Sequence, residues 1–167
     1  MRYPRILALL VFGSVTALHG QSLDIGGIEI RMGQQTTEVV SQLRAAYAVI
    51  FDEGTKSWFV TKIRDGTGPF VWVGHFAATN GTVSFISKGY VLSGVDDLAT
   101  VYTQAINELH KRGGKNCVTL PVAFADGVVG LVKTTCGQYA LNLMLPWKHE
   151  NGDVVGAGVS INVKSNP

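Results

Sequence analysis

The sequence predicts an α+β fold, two helices packed on antiparallel β-meander sheet. Three observations carry this. Apolar residues alternate with period two through most of the chain. Two stretches, 36–50 and 96–112, switch to helical period. Asn80-Gly81, Asp126-Gly127 and Asn151-Gly152-Asp153 supply hairpin and turn chemistry between strands. With 167 residues the chain has room for one domain or two very small ones.

Residues 25–30 read as a short strand ended by Gly33. Thr36 or Thr37 can cap a helix, with Glu38 in its first turn, where the helix dipole favours a carboxylate. Val39, Val40, Leu43, Tyr47 and Ile50 continue it at helical spacing for three to four turns. Strands follow at 56–63, 70–77 and 82–92. A two-residue Asn80-Gly81 loop sets Phe76 opposite Phe85 and Ala78 opposite Val83, and alternation puts Phe70, Trp72, Phe76, Val83 and Phe85 on one side.

Asp96-Asp97 opens the second helix. Leu98, Val101, Tyr102, Ala105, Ile106 and Leu109 form its apolar stripe, His110, Lys111 and Arg112 its last turn, and Gly113-Gly114 its stop. Strands at 116–125, 128–136 and 139–147 come next, and a last strand places Val155, Ala157, Val159, Ile161 and Val163 on one face. An odd turn of three or five residues sets Leu145 opposite Val159. The order is β-α-β-β-β, then α-β-β-β-β, which looks like a duplicated α-βββ unit. The expected organisation is a leader at 1–20 and halves at 21–95 and 96–167.

Cys117 and Cys136, the only two cysteines, stand symmetrically about Asp126-Gly127. A hairpin turning there brings them face to face, so a cross-strand disulfide is expected. Pro121 then stands opposite Val132 at what reads as a hydrogen-bonded position, where proline has no donor, so the strand is an edge or a bulge intervenes.

Residues 1–20 have the layout of a secretory signal peptide. Arg2 and Arg5 precede an apolar run, and Val15-Thr16-Ala17 or His19-Gly20 offers a cleavage site. The run from Ile6 to Leu18 is short against the roughly 20 residues a spanning helix needs. Export into an oxidising compartment, periplasmic or extracellular, agrees with the disulfide. Removing Arg2 and Arg5 takes the 14 basic residues to 12, against 12 acidic. A neutral mature chain lacks the electrostatic drive for nucleic-acid binding. No stable membrane insertion is expected after cleavage.

His75 lies on a strand, on the face opposite Phe76, His110 ends a helix and His149 sits in a turn. No HExxH, HxH, GxSxG or CxxC spacing occurs, and the glycine-rich 65–69 and 112–115 match no phosphate loop. No catalytic, cofactor-binding or metal-ligating residue is therefore assigned, although a metal site assembled at long range stays open. Trp58, Trp72 and Trp147 are core or surface aromatics. Trp147, beside Pro146 and a charged turn, is the one expected to be exposed. Trp147, His149 and His75 form the candidate binding surface.

From 30 to 43 the chain reads IRMGQQTTEVVSQL, followed by Trp58-Phe59-Val60 and by Gly81-Thr82-Val83-Ser84-Phe85. This order resembles the SmpA/BamE-type small envelope domain and relatives of the same fold, including β-lactamase-inhibitor-protein-like proteins. Gly33, Val39, Leu43, Trp58, Val60, Gly81, Val83 and Phe85 fit the family pattern. Gln34 and Gln35 replace its Met and Ser or Thr, and the acylated N-terminal cysteine of the family lipoproteins has no counterpart. The resemblance covers the first half only. It implies an envelope protein that binds other proteins through its sheet and transfers no catalytic residue.

The expectation is thus an exported, non-catalytic protein of the cell envelope that binds another envelope or extracellular protein through sheet surface or edge. The alternative is a small secreted hydrolase or ligand-binding domain using His75 or His149.

Overall fold

A computed structural model describes residues 21–62, 71–92, 97–123, 129–145, 147–148, 154–155 and 158–164. The leader at 1–20, the Asp126-Gly127 and Asn151-Gly152-Asp153 turns, Phe70, Asp96 and His149 lie outside them. No helix among the described residues is long and apolar enough to cross a membrane.

In chain order the elements are β1 (Ser22–Ile25), β2 (Ile28–Arg31), α1 (Thr36–Arg44), β3 (Ala48–Asp52), β4 (Ser57–Lys62), β5 (Val71–Thr79), β6 (Thr82–Tyr90), α2 (Leu98–Gly113), β7 (Cys117–Ala123), β8 (Val129–Cys136), β9 (Tyr139–Met144), β10 (Trp147–Lys148), β11 (Val154–Val155) and β12 (Gly158–Lys164). The α+β expectation holds. One antiparallel eight-stranded sheet runs β3-β4-β5-β6-β12-β9-β8-β7, flanked by the ribbons β1-β2 and β10-β11. Each helix leads into a four-stranded meander, and the meanders join through their last strands, β6 and β12.

One face of the sheet is the core. Val60, Phe76, Ile86, Leu141, Ile161 and Val163 are buried there with Leu23, Ile25 and Ile30 of the first ribbon, Val39 and Leu43 of α1, and Ala105 and Leu109 of α2. Burying each large side chain is worth roughly 1.5–3 kcal/mol, so this face is the main source of stability. A charged cluster ties the same layer together. Lys88 of β6 donates to Asp24 of β1 at 2.7 Å and to Glu108 of α2 at 2.9 Å. Glu108 also accepts from the Tyr90 hydroxyl at 2.6 Å and from Arg112 Nε at 2.9 Å. Arg112 also donates to the Ser22 carbonyl at 2.9 Å. Burial pushes the Glu108 carboxyl up, but the bonds from Tyr90, Lys88 and Arg112 outweigh it and hold Glu108 below its usual range. Burial and the bond to Glu108 push the Tyr90 phenol far above its usual value.

Several local expectations are corrected. The expected single strand over 25–30 is a hairpin, because Gly26 and Gly27 both have positive φ (61° and 88°) and turn the chain between β1 and β2. α1 stops at Arg44, so Tyr47 lies beyond the helix and Ile50 sits in edge strand β3. Thr36 does not cap the helix; its hydroxyl donates to the Gly81 carbonyl at 2.8 Å, fastening the start of α1 to the Asn80-Gly81 turn. That turn has positive φ at both residues (52° and 78°), and Ala78 faces Val83 as expected. The register then shifts, so Ala77 faces Phe85, and Phe76 faces Ile86 rather than Phe85. A second shift at Val60/Thr61 sets Trp72 opposite Thr61. The expected one-sided row is therefore split. Phe76 and Val83 are buried in the core, while Trp72 and Phe85 stand on the other face beside His75.

The cysteine hairpin keeps its expected register from Cys117↔Cys136 to Val122↔Leu131. The two cysteines form a disulfide with Cα atoms 4.4 Å apart. That separation marks a non-hydrogen-bonded pair, and pair types alternate along an antiparallel ladder. Pro121↔Val132 is therefore also non-hydrogen-bonded, which corrects the sequence reading. The donor that proline lacks would have pointed out of the sheet, and β7 is indeed its edge. The bulge lies turnward of the proline. Ala123 faces Val129, and the expected two-residue Asp126-Gly127 loop lies outside the described residues. In the last hairpin Lys148 faces Val154, so five residues separate them, as one of the two expected lengths requires. Val159 accordingly faces Leu143, not Leu145.

Candidate functional site

Strand alternation sends every second side chain to the face away from the helices. On the first meander that face carries Phe59 and Thr61 of β4, Trp72 and His75 of β5, and Phe85 and Ser87 of β6, as the registers require. At its centre are Ser160 and Asn162 of β12 and Asn142 of β9. On the second meander it carries Leu131 and Lys133 of β8 and Val118, Leu120 and Val122 of β7. None of the described helices packs on it, since α1 and α2 bury their apolar residues in the opposite layer.

Two properties set this face apart from ordinary solvated sheet. Its hydrophobic side chains are large and incompletely covered: Val118 and Leu120 are each 60% exposed, and Phe59, Trp72 and Phe85 are half-buried. Its polar atoms are also unmatched. Thr61 Oγ1, Trp72 Nε1, His75 Nδ1, Asn142 Oδ1 and Asn162 Oδ1 are buried without a hydrogen-bond partner among the described residues, and all five belong to this face. Such groups normally find a partner, because leaving one unpaired costs about 1–3 kcal/mol.

His75 is the sequence-predicted site residue that the structure places here. Its ring lies 5.2 Å from Phe59, 5.3 Å from Phe85 and 5.8 Å from Trp72, centroid to centroid. Burial pushes its pKa down, so the neutral imidazole is favoured. Its Nδ1 is buried without a hydrogen-bond partner among the described residues. Trp147 faces Val155 in β10; its side chain, like His149, lies outside the described part of the chain. The structure thus brings His75 together with three aromatic rings. Sequence reasoning misses Asn142 and Asn162. Alternation could have found them, since each sits between core residues, Leu141 and Leu143 in one strand and Ile161 and Val163 in the other.

Two cavities among the described residues lie elsewhere. The larger, about 520 Å³, is bordered by Glu29, Arg31, Gln34, Glu38 and Gln42 at the start of α1. Its side chains largely bond one another, Gln34 to Gln42 at 3.4 Å and Gln42 to Glu38 at 3.3 Å. The other, about 490 Å³, lies along α1 against Trp58. No family model, curated protein or solved structure matches the chain. The functional reading therefore rests on the residues.

At the far end of the sheet, the C-terminus of α2 meets the disulfide. A ring nitrogen of His110 and both sulfurs, Cys117 Sγ and Cys136 Sγ, lie within 4.8 Å of one another. The sequence reading leaves His110 only at the end of a helix. The added signal is the His110-to-Cys117 spacing once Cys136 is recognised as the partner across the hairpin.

Proposed function

We propose that this is an exported, non-catalytic protein of the cell envelope that binds another protein on the helix-free face of its sheet. The observation that carries the reading is the coincidence of five unpaired buried polar atoms and incompletely covered aromatic and aliphatic side chains on that face. A partner surface supplies both missing terms, hydrogen bonds at the unpaired atoms and burial of the rings. Lys133 and Lys164 are the exposed cations of the face and make no ion pair among the described residues. They favour a partner with acidic groups opposite them. Binding by strand addition is the weaker form of the idea at β7, because Pro121 removes an outward donor there.

The SmpA/BamE-like resemblance of the first half and the duplicated helix-plus-meander unit belong to the same reading. The duplication draws support from the strand order, in which two four-stranded meanders join end to end. Export draws support from the disulfide, which an oxidising compartment favours. The test is site-specific photo-crosslinking in the producing cell, with the reactive residue at position 133, 120 or 104. Adducts of one discrete mass from positions 133 and 120, weakened by Lys164→Glu and absent from Gln104 on α2, are expected. Equal adducts from position 104, or none from the sheet face, would sink the reading.

A further inference from the structure

The His110, Cys117 and Cys136 cluster has a chemistry that the sheet-face reading does not use. Its geometry is set by backbone rather than by the sulfur–sulfur bond. Cys117 and Cys136 oppose each other in a ladder that continues through five further pairs before its register shifts, so the hairpin holds their Cα atoms close with or without the disulfide. His110 is held by the end of α2, where the Gly114 N–H donates to the His110 carbonyl at 3.1 Å. Gly113 fixes the docking: a Cβ on it would strike the Cys136 carbonyl, so the helix end lies directly against β8. Cys136 is fully buried and Cys117 only partly, so the cluster is sheltered on one side and open on the other.

We propose that the reduced chain binds one zinc-class ion, a borderline-soft divalent metal, through Cys117 Sγ, Cys136 Sγ and a ring nitrogen of His110. The disulfide is the metal-free alternative state of the same residues. Two thiolates and an imidazole are a preferred donor set for such an ion, and a solvent molecule completes a tetrahedron on the open side. Zinc–ligand bonds of about 2.0–2.3 Å place donor atoms roughly 3.3–3.8 Å apart. The sulfurs must therefore move apart and the imidazole nitrogen, which lies within 4.8 Å of both, must settle at that spacing. The exchange balances. A dithiol reduces the disulfide to two thiols and is itself oxidised to a disulfide. The metal ion then displaces one proton from each thiol, giving a bis-thiolate complex and two protons in solution. Every chain is made with its cysteines as thiols, so the site exists before the disulfide closes. It does not depend on what the sheet face binds.

Cobalt(II) is the probe. The full chain, reduced with dithiothreitol and freed of it without oxygen, is titrated with Co²⁺ and then with Zn²⁺. One equivalent of Co²⁺ with thiolate charge-transfer bands and the intense visible bands of a tetrahedral ion is expected, displaced by Zn²⁺. His110→Ala should weaken binding at least about tenfold, and His110→Cys should restore it with an altered cobalt spectrum. Zinc should also slow alkylation of Cys117 by iodoacetamide. Absence of tetrahedral bands in the reduced His110→Cys variant and the natural chain alike overturns the proposal. So does binding that is unchanged by His110→Ala or equal in the disulfide form.

Discussion

Replacing Glu108 by leucine removes the acceptor shared by three donors, Lys88 at 2.9 Å, Tyr90 at 2.6 Å and Arg112 at 2.9 Å. Lys88 keeps Asp24 and Arg112 keeps the Ser22 carbonyl, so only the Tyr90 hydroxyl loses the one partner it has among the described residues. Removing one member of a fully buried ion pair costs about 3–5 kcal/mol. These side chains are 17–27% exposed, so water reaches the gap and the expected loss falls to about 2–3 kcal/mol. Lys88→Met should cost a similar amount. The double variant should cost less than the sum of the two by about 1–2 kcal/mol, because neither charge is then left facing an empty site. Urea unfolding with the disulfide intact measures all four forms through the midpoint at constant slope. The acid limb gives a second reading. The folded Glu108 carboxyl titrates below its ordinary value of 4.5, so its contribution is complete above that pH and is lost as pH falls through the folded pKa. The stability gap between the natural chain and Glu108→Gln should narrow there. A Glu108→Leu loss under about 0.5 kcal/mol, or strict additivity in the double variant, would refute the view that this cluster joins the first ribbon, the sheet and α2.

Two further outcomes follow from the sheet. Burial holds the folded His75 pKa below its ordinary 6.5, so the unfolded chain takes up a proton first and stability should fall as pH drops below 6.5; thermal melts should show this slope, and His75→Phe should flatten it. Pro121→Thr restores an outward N–H on edge strand β7, beside Val118 and Leu120, each 60% exposed. Sedimentation should then show larger species than the natural chain forms, and an unchanged profile would mean that the proline is not what guards this edge.

The cysteine pairing was legible because register in a hairpin is symmetric about its turn and every pair down to Val122↔Leu131 obeys one rule. The same rule fails wherever a residue is inserted on one strand only. The shifts at Val60/Thr61 and Ala77/Ala78 have no signature in composition, yet they move Trp72 and Phe85 away from Phe76. The end of α1 fails for a different reason. Tyr47 and Ile50 stand at helical distances from Leu43, but 48–52 is also a run of residues that suits a strand, Ala-Val-Ile-Phe-Asp. Tertiary contact decides between them. β4 offers a free edge for 48–52 to pair with, and the Tyr47 hydroxyl donates to the Gly26 carbonyl at 2.6 Å, holding the chain where it leaves the helix.

The candidate face was only partly legible, and the reason lies in what alternation does and does not encode. Period two says that Asn142 and Asn162 point away from Leu141 and Ile161. It does not say that their carbonyl oxygens end up out of reach of water. That follows from where neighbouring strands stand: Ala140 faces Asn162, and Ser160 faces Asn142. Across their other edges Ser87 faces Asn162 and Lys133 faces Asn142, yet neither amide oxygen finds a partner among the described residues. His75 is a parallel case. Its neighbours across the strands are Phe59 and Ser87, and the ring that could have donated from the same strand, Trp72, turns its own Nε1 to no described acceptor. A face intended only to meet water would have no reason to bury such atoms, because exposed amides and imidazoles are satisfied by solvent. A face intended as core would have replaced them with aliphatic residues, as the opposite side of the same strands does at Leu141, Ile161 and Phe76. The unpaired atoms therefore fit a surface whose partner is supplied by another molecule.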